Sequence, residues 1–360
     1  VNGGVRAGDI LYHDNGAGGY DVFVITAVAA TRLTISGNTV SGRHYYIIQP
    51  RAFFAWHDNA SPTNIRAAIV NLRDGSLAVS SFMAVDHASN NVQDTHVISD
   101  GSGGAFVIYE DSTGNTIRGK RLSAAGAFLV GTNAANLGVN LGTGSIIDVI
   151  SDGSTGIYVL YDNGVNVALR RWGQSLDGTT WAAAVTLTTT GNDAAIVLSS
   201  AGNPIVAFAD DSNDLYIQER TAASGVVDPS FNETIVSIGS YVSNESADIT
   251  KNNVTLSRTG NGGAFAGWID NRYYSFLGYQ AMAQAYDAVG APQWDADTGT
   301  GTDYEGITVG VTGNYDPEMV ADEALIRSVF SGSGSPASGH YFWYDYRNTR
   351  TDIFYDILAY

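Results

Sequence analysis

The sequence predicts an all-β protein: a six-bladed β-propeller, or a seven-bladed one if the N-terminal strands form a blade, preceded by a small β module. Three observations predict it. An aromatic or apolar residue, any residue, then Asp recurs along the chain, ending at Asp58, Asp111, Asp162, Asp210, Asp270 and Asp345 in steps of 53, 51, 48, 60 and 75. The segments VISDGSGGAFVIYED (97–111) and VISDGSTGIYVLYDN (149–163) are near copies of one another. Composition agrees, with 42 glycines and 20 tyrosines, 44% hydrophobic but only 15% charged residues, as in an ordered, turn-rich β protein.

Residues 1–49 fall outside the repeat. Strands are expected at 8–12, 20–28, 32–35 and 44–49, separated by the glycine-rich and asparagine-rich turn signals at 15–19 and 36–38. So short a piece rarely sustains its own core without metal or disulfide, so it should dock on the propeller or on a neighbouring subunit.

Residues 50–360 form the second expected domain. In each unit a strand runs up to the anchor aspartate, and a second alternating strand leads to a turn glycine at Gly75, Gly126, Gly178, Gly225 or Gly290. Three or four short strands cannot cover both of their own faces. Neighbouring sheets must therefore pack face to face, and a ring hides the last apolar face. The final unit stops after a strand at 352–360, so closure is expected to use an N-terminal strand, with 44–49 the candidate. The run at 331–335 reads as an insertion.

The phrases GGAFAGWIDNR, YFWYDYRNTRTDIFYDI and IRGKRLSAAG resemble the repeats of secreted bacterial β-propeller proteins, over residues 51–360. That resemblance implies architecture only. SLDGTTW, Ser175 to Trp181, is similar to the Asp-box turn of sialidase-type propellers, one residue short of the usual form, and such turns stabilise rather than catalyse. The stretches GDILY, YDVFVITAV and TRLTIS resemble small all-β connector modules of phage and bacterial surface proteins.

Charge and composition narrow the partners. Thirty-six acids against 18 bases leave a formal charge of −18, which disfavours nucleic acid and anionic membrane surfaces. No apolar run is long enough to span a membrane, so no membrane insertion is expected. With no cysteine there is no disulfide framework, thiolate metal site or Cys nucleophile. A first residue that is not Met, with a lysine-poor surface rich in Gly, Thr, Asn and Ser, points to a processed, extracellular or cell-surface product.

The six anchor aspartates occupy corresponding points of their units, so a propeller would set them in a ring able to gather cations or hydroxyl-rich ligands. The competing reading has each carboxylate accept N–H bonds in the loop that follows, and repetition in every unit favours it. Calcium is the cofactor to expect, if any. Asp210, Ser212 and Asp214 offer alternating oxygens, and Asp295, Asp297, Asp303 and Glu305 crowd a glycine-rich stretch, although neither segment carries the full EF-hand pattern. Tyr273 and Tyr274, in the loop after Asp270, could stack on sugars or on a partner protein.

Enzyme signatures are thin: there is no H-E-x-x-H, G-x-S-x-G or P-loop, and the six histidines lack metal spacing. Arginines such as Arg121, Arg171 and Arg220 sit at repeated strand positions. The expected role is a non-catalytic structural or binding component of a surface layer, fibre or adhesive assembly, with copies of itself or another surface protein as partner. The alternatives are a carbohydrate-binding, lectin-like propeller recognising glycans, and a glycoside hydrolase of sialidase-like architecture in which Glu318 or Glu110 would serve as the acid.

Overall fold

The computed structural model describes strands alone within residues 1–50 and 294–360. It describes residues 51–293 apart from 59–62, 73–74, 87–91, 113–114, 132, 177–182, 189–193, 210–214, 237–251, 260–261 and 271–279. The described residues are all-β and contain no helix. The chain divides into two compact units, one of residues 1–113 with 118–140 and one of residues 114–117 with 141–360.

The first unit opens with β1 (Ile10–Asp14), β2 (Tyr20–Ala29), β3 (Arg32–Ile35) and β4 (Tyr45–Ile48), close to the expected strands and ordered β3-β2-β1-β4. β4 covers most of residues 44–49, the candidate for closing the last sheet. It pairs with β1, Ile10 opposite Ile48. Next come β5 (Arg51–His57), β6 (Ile65–Asn71) and β7 (Leu77–Val85), a three-stranded sheet in that order. β8 (Val92–Ser99), β9 (Ala105–Asp111), β10 (Thr116–Leu122) and β11 (Phe128–Val130) follow as neighbours, and β12 (Val139–Thr143) also pairs with β10.

The second unit repeats the plan. β13 (Ser145–Ser151), β14 (Ile157–Asp162), β15 (Val167–Trp172) and β16 (Val185–Thr188) form one antiparallel sheet in chain order. β17 (Ala194–Leu198), β18 (Pro204–Ala209), β19 (Leu215–Arg220) and β20 (Val227–Val236) form the next. β21 (Asn252–Arg258), β22 (Ala264–Asp270), β23 (Gln280–Tyr286) and β24 (Ile307–Val311) make another, and β25 (Arg327–Phe330), β26 (Ser338–Asp345) and β27 (Asp352–Ala359) close the chain as three strands. First strands lie against first strands, β13 on β17, β17 on β21 and β21 on β25, so consecutive sheets stack face to face. Up-and-down four-stranded sheets stacked in chain order are the blades of a β-propeller.

Among the described side chains, second strands such as β9, β14, β18 and β22 carry the core. β9 is buried along its whole length and β14 nearly so, which is why their sequences run apolar without alternation. Tyr158 and Leu160 pack against Val206 and Phe208 of the following sheet, and Trp268 packs with Ile205, Ala207 and Ile217 of the preceding one. Such contacts hide the faces that a lone sheet would leave wet.

The turns repeat as closely as the strands. Between first and second strands, the N–H of Asp100, Asp152, Ser199 and Thr259 donates to the carbonyl of Gly104, Gly156, Asn203 and Gly263 respectively. The expected turn glycines Gly126, Gly225 and Gly290, between third and fourth strands, and Gly75, between β6 and β7, all have positive φ, while Gly178 lies outside the described residues. Gly290 shows why the residue matters: a Cβ there would meet the Phe231 ring at 2.7 Å.

Candidate functional site

The near-identical segments at 97–111 and 149–163 fold into one polar device used twice. Asp100 Oδ1 accepts the N–H of Ser102 at 2.9 Å and of Gly104 at 2.7 Å, which closes the hairpin. Asp152 Oδ1 accepts the same pair from Ser154 and Gly156, both at 2.9 Å. The second carboxylate oxygen faces an arginine of the third strand: Arg121 Nε donates to Asp100 Oδ2 at 2.8 Å, and Arg171 Nη2 to Asp152 Oδ2 at 2.7 Å. A side chain at Gly104 or Gly156 would strike a third-strand carbonyl, Leu122 O or Trp172 O. Burial pushes both carboxyls upward, but the hydrogen bonds from the turn and the arginine outweigh it and hold them below the usual carboxylate range. Arg171 also reaches the next blade, donating from Nη1 to Ala222 O at 2.7 Å.

Three anchor aspartates have described side chains, and each is engaged within its own sheet. Asp111 is buried and accepts Arg118 Nε at 2.7 Å. Asp58 accepts the N–H of Asn64 at 3.0 Å and stands 3.7 Å from Arg66 Nε. Asp162 accepts the N–H of Gly164 at 2.7 Å. Asp162 also stands out of phase. It follows Gly156 by six residues where Asp111 follows Gly104 by seven, so its counterpart is Glu110. One residue along a strand moves a side chain to the opposite face. The same slip separates Arg220 from Arg121 and Arg171: Glu219 occupies their position, opposite Ile205 as Arg171 is opposite Tyr158.

Asp270 and Asp345 end β22 and β26, and only their backbone is described. Asp210, Ser212, Asp214, Asp295, Asp297, Asp303, Glu305, Tyr273, Tyr274 and Glu318 lie outside the described residues. Among the described residues no three His, Asp or Glu side chains gather as a metal site would need.

Lys120 was not singled out by the sequence, where it is merely one of two lysines. Its side chain is fully buried, and its ammonium donates to Ala84 O at 2.9 Å and to Asn133 O and Ala134 O at 3.0 Å. The Phe128 ring lies 5.2 Å away. Burial pushes the Lys120 pKa down to about 8, with Asp86 pulling it back up.

The first three-stranded sheet bears an apolar patch. Phe54 and Trp56, four and two residues ahead of Asp58, are 53% and 39% exposed. Their counterparts ahead of Asp111, Asp210 and Asp270 are Val107 and Tyr109, Val206 and Phe208, and Ala266 and Trp268, all buried.

No family model matches the chain, and no curated protein does. Among solved structures, the chain is similar to a protein of unknown function from Dyadobacter fermentans, at 8% identity and TM-score 0.44 over 86% of this chain and 91% of that one. It is also similar to TolB from Acinetobacter baumannii, at 12% identity and TM-score 0.36 over 79% of this chain and 62% of that one. A third similar structure is an exo-beta-1,3-galactanase from Phanerochaete chrysosporium, at 14% identity and TM-score 0.37 over 82% of this chain and 75% of that one.

Proposed function

We propose that this chain is a non-catalytic, extracellular β-propeller that serves as a structural or binding component and associates with copies of itself or with another surface protein. The observation that carries the reading is the exposure of Phe54 and Trp56 at positions that are buried in the blades of Asp111, Asp210 and Asp270. Large apolar side chains left open at otherwise buried positions mark a surface that gains by being covered. The uses of charge support a scaffold rather than a catalyst, since Asp100, Asp111 and Asp152 are engaged in holding turns and strands together.

Light scattering across a concentration series tests it, with wild type beside Trp56→Lys. The expected result is a wild-type mass that rises with concentration and a variant that stays monomeric. A wild type monomeric at every concentration that also captures no surface protein would overturn the reading.

A further inference from the structure

The outer strand of the sheet formed by β8 to β12 is interrupted, with β11 and β12 separated by the loop 131–138, GTNAANLG, described except for Thr132. The loop has little apolar substance of its own, so burial alone gives it weak reason to hold one shape. It is tied down instead by polar bonds from beneath. Tyr109 donates its hydroxyl to Leu137 O, the Asp86 N–H donates to Ala134 O at 2.9 Å, and Lys120 takes both Asn133 O and Ala134 O. The third proton of Lys120 goes to Ala84 O at the end of β7, so a single ammonium joins the loop to a different strand.

The loop ends are shaped around the lysine stem. Gly131 and Gly138 have φ of +79° and +80°, and a Cβ would lie 3.3 Å and 2.9 Å from Lys120 Cγ. Three carbonyls and an aromatic ring form the kind of cage that takes a monovalent cation, and the chain supplies that cation on its own tether.

We infer that the loop 131–138 is a strap bolted shut by the Lys120 ammonium, and that removing this one charge opens the strap while leaving the blade beneath it folded. Without Nζ, three carbonyls lose a donor at once and the alanine-rich and asparagine-rich loop has nothing of equal strength to replace it.

Lys120→Met, which keeps the stem, tests this by hydrogen–deuterium exchange. Exchange across 131–138 is expected to rise roughly tenfold or more while the neighbouring turn at 123–127 keeps its wild-type rate. Unchanged exchange in the loop would overturn the inference, as would an equal rise in both segments. Should the variant fail to fold, the wild type still decides. With only two lysines its Nζ resonances are readily assigned, and Lys120 must show slowly exchanging Nζ protons; rapid exchange would overturn the inference.

Discussion

Arg121 and Asp100 meet across the sheet of β8 to β12 with Nε and Nη2 each 2.8 Å from the same carboxylate oxygen, while the other oxygen of Asp100 holds its own hairpin closed. One carboxylate therefore fixes a turn and pins it to the third strand. Asp152 and Arg171 do the same one sheet later.

Asp100→Ala removes three turn bonds, from the N–H of Ser102 and Gly104 and the hydroxyl of Ser102, and leaves the guanidinium of Arg121 without its carboxylate. The expected loss is about 3 kcal/mol, the scale for breaking a buried pair from one side. Urea unfolding of Asp100→Ala and Asp152→Ala measures it, and the two losses should be comparable.

Acid should unlock both hairpins. The folded carboxyls of Asp100 and Asp152 titrate below the unfolded value of about 3.9, so their stabilisation is fully present above that value and disappears as pH falls through the lower folded one. Thermal melts between neutral pH and pH 2 should show a decline beginning near pH 4. Asp100→Asn should flatten it.

The next blade carries a different pairing at the corresponding positions. Ser199 replaces the aspartate and Glu219 the arginine, with Ser199 Oγ donating to Glu219 Oε1 at 2.9 Å. Ser199→Asp alone sets two carboxylates together and should destabilise by about 1–3 kcal/mol, whereas adding Glu219→Arg should recover much of that loss by building the lock of its neighbours. Chemical denaturation of the single and double variants checks the order.

Two turn glycines separate backbone strain from crowding. Gly75 has φ of +70° with nothing near its missing Cβ, while Gly290 has φ of +81° with Phe231 at 2.7 Å. Gly75→Ala should cost about 1 kcal/mol and Gly290→Ala about 2–4 kcal/mol. Equal losses measured by denaturation would mean that conformation alone matters.

What the sequence discloses follows from its physics. Repeated strands and turns were readable because each blade solves the same burial problem, so Phe106 and Tyr158 recur with Asp100 and Asp152 at fixed spacing. Register was harder. Asp162 and Arg220 look aligned with Asp111 and Arg171, but a strand one residue shorter or a slip of one position sends them to the other face. Lys120 was silent because a solitary lysine in a strand reads as a solvated charge, and only the fold brings Ala84, Asn133 and Ala134 around it. The open patch at Phe54 and Trp56 was equally hidden, since their types match those of buried residues elsewhere.

Double-mutant cycles on Asp100 with Arg121, and separately on Asp152 with Arg171, measure most directly whether these blades are one unit written repeatedly. Both pairs should show favourable coupling of about 1–3 kcal/mol and agree within about 0.5 kcal/mol. A strong coupling in one pair with none in the other would contradict it.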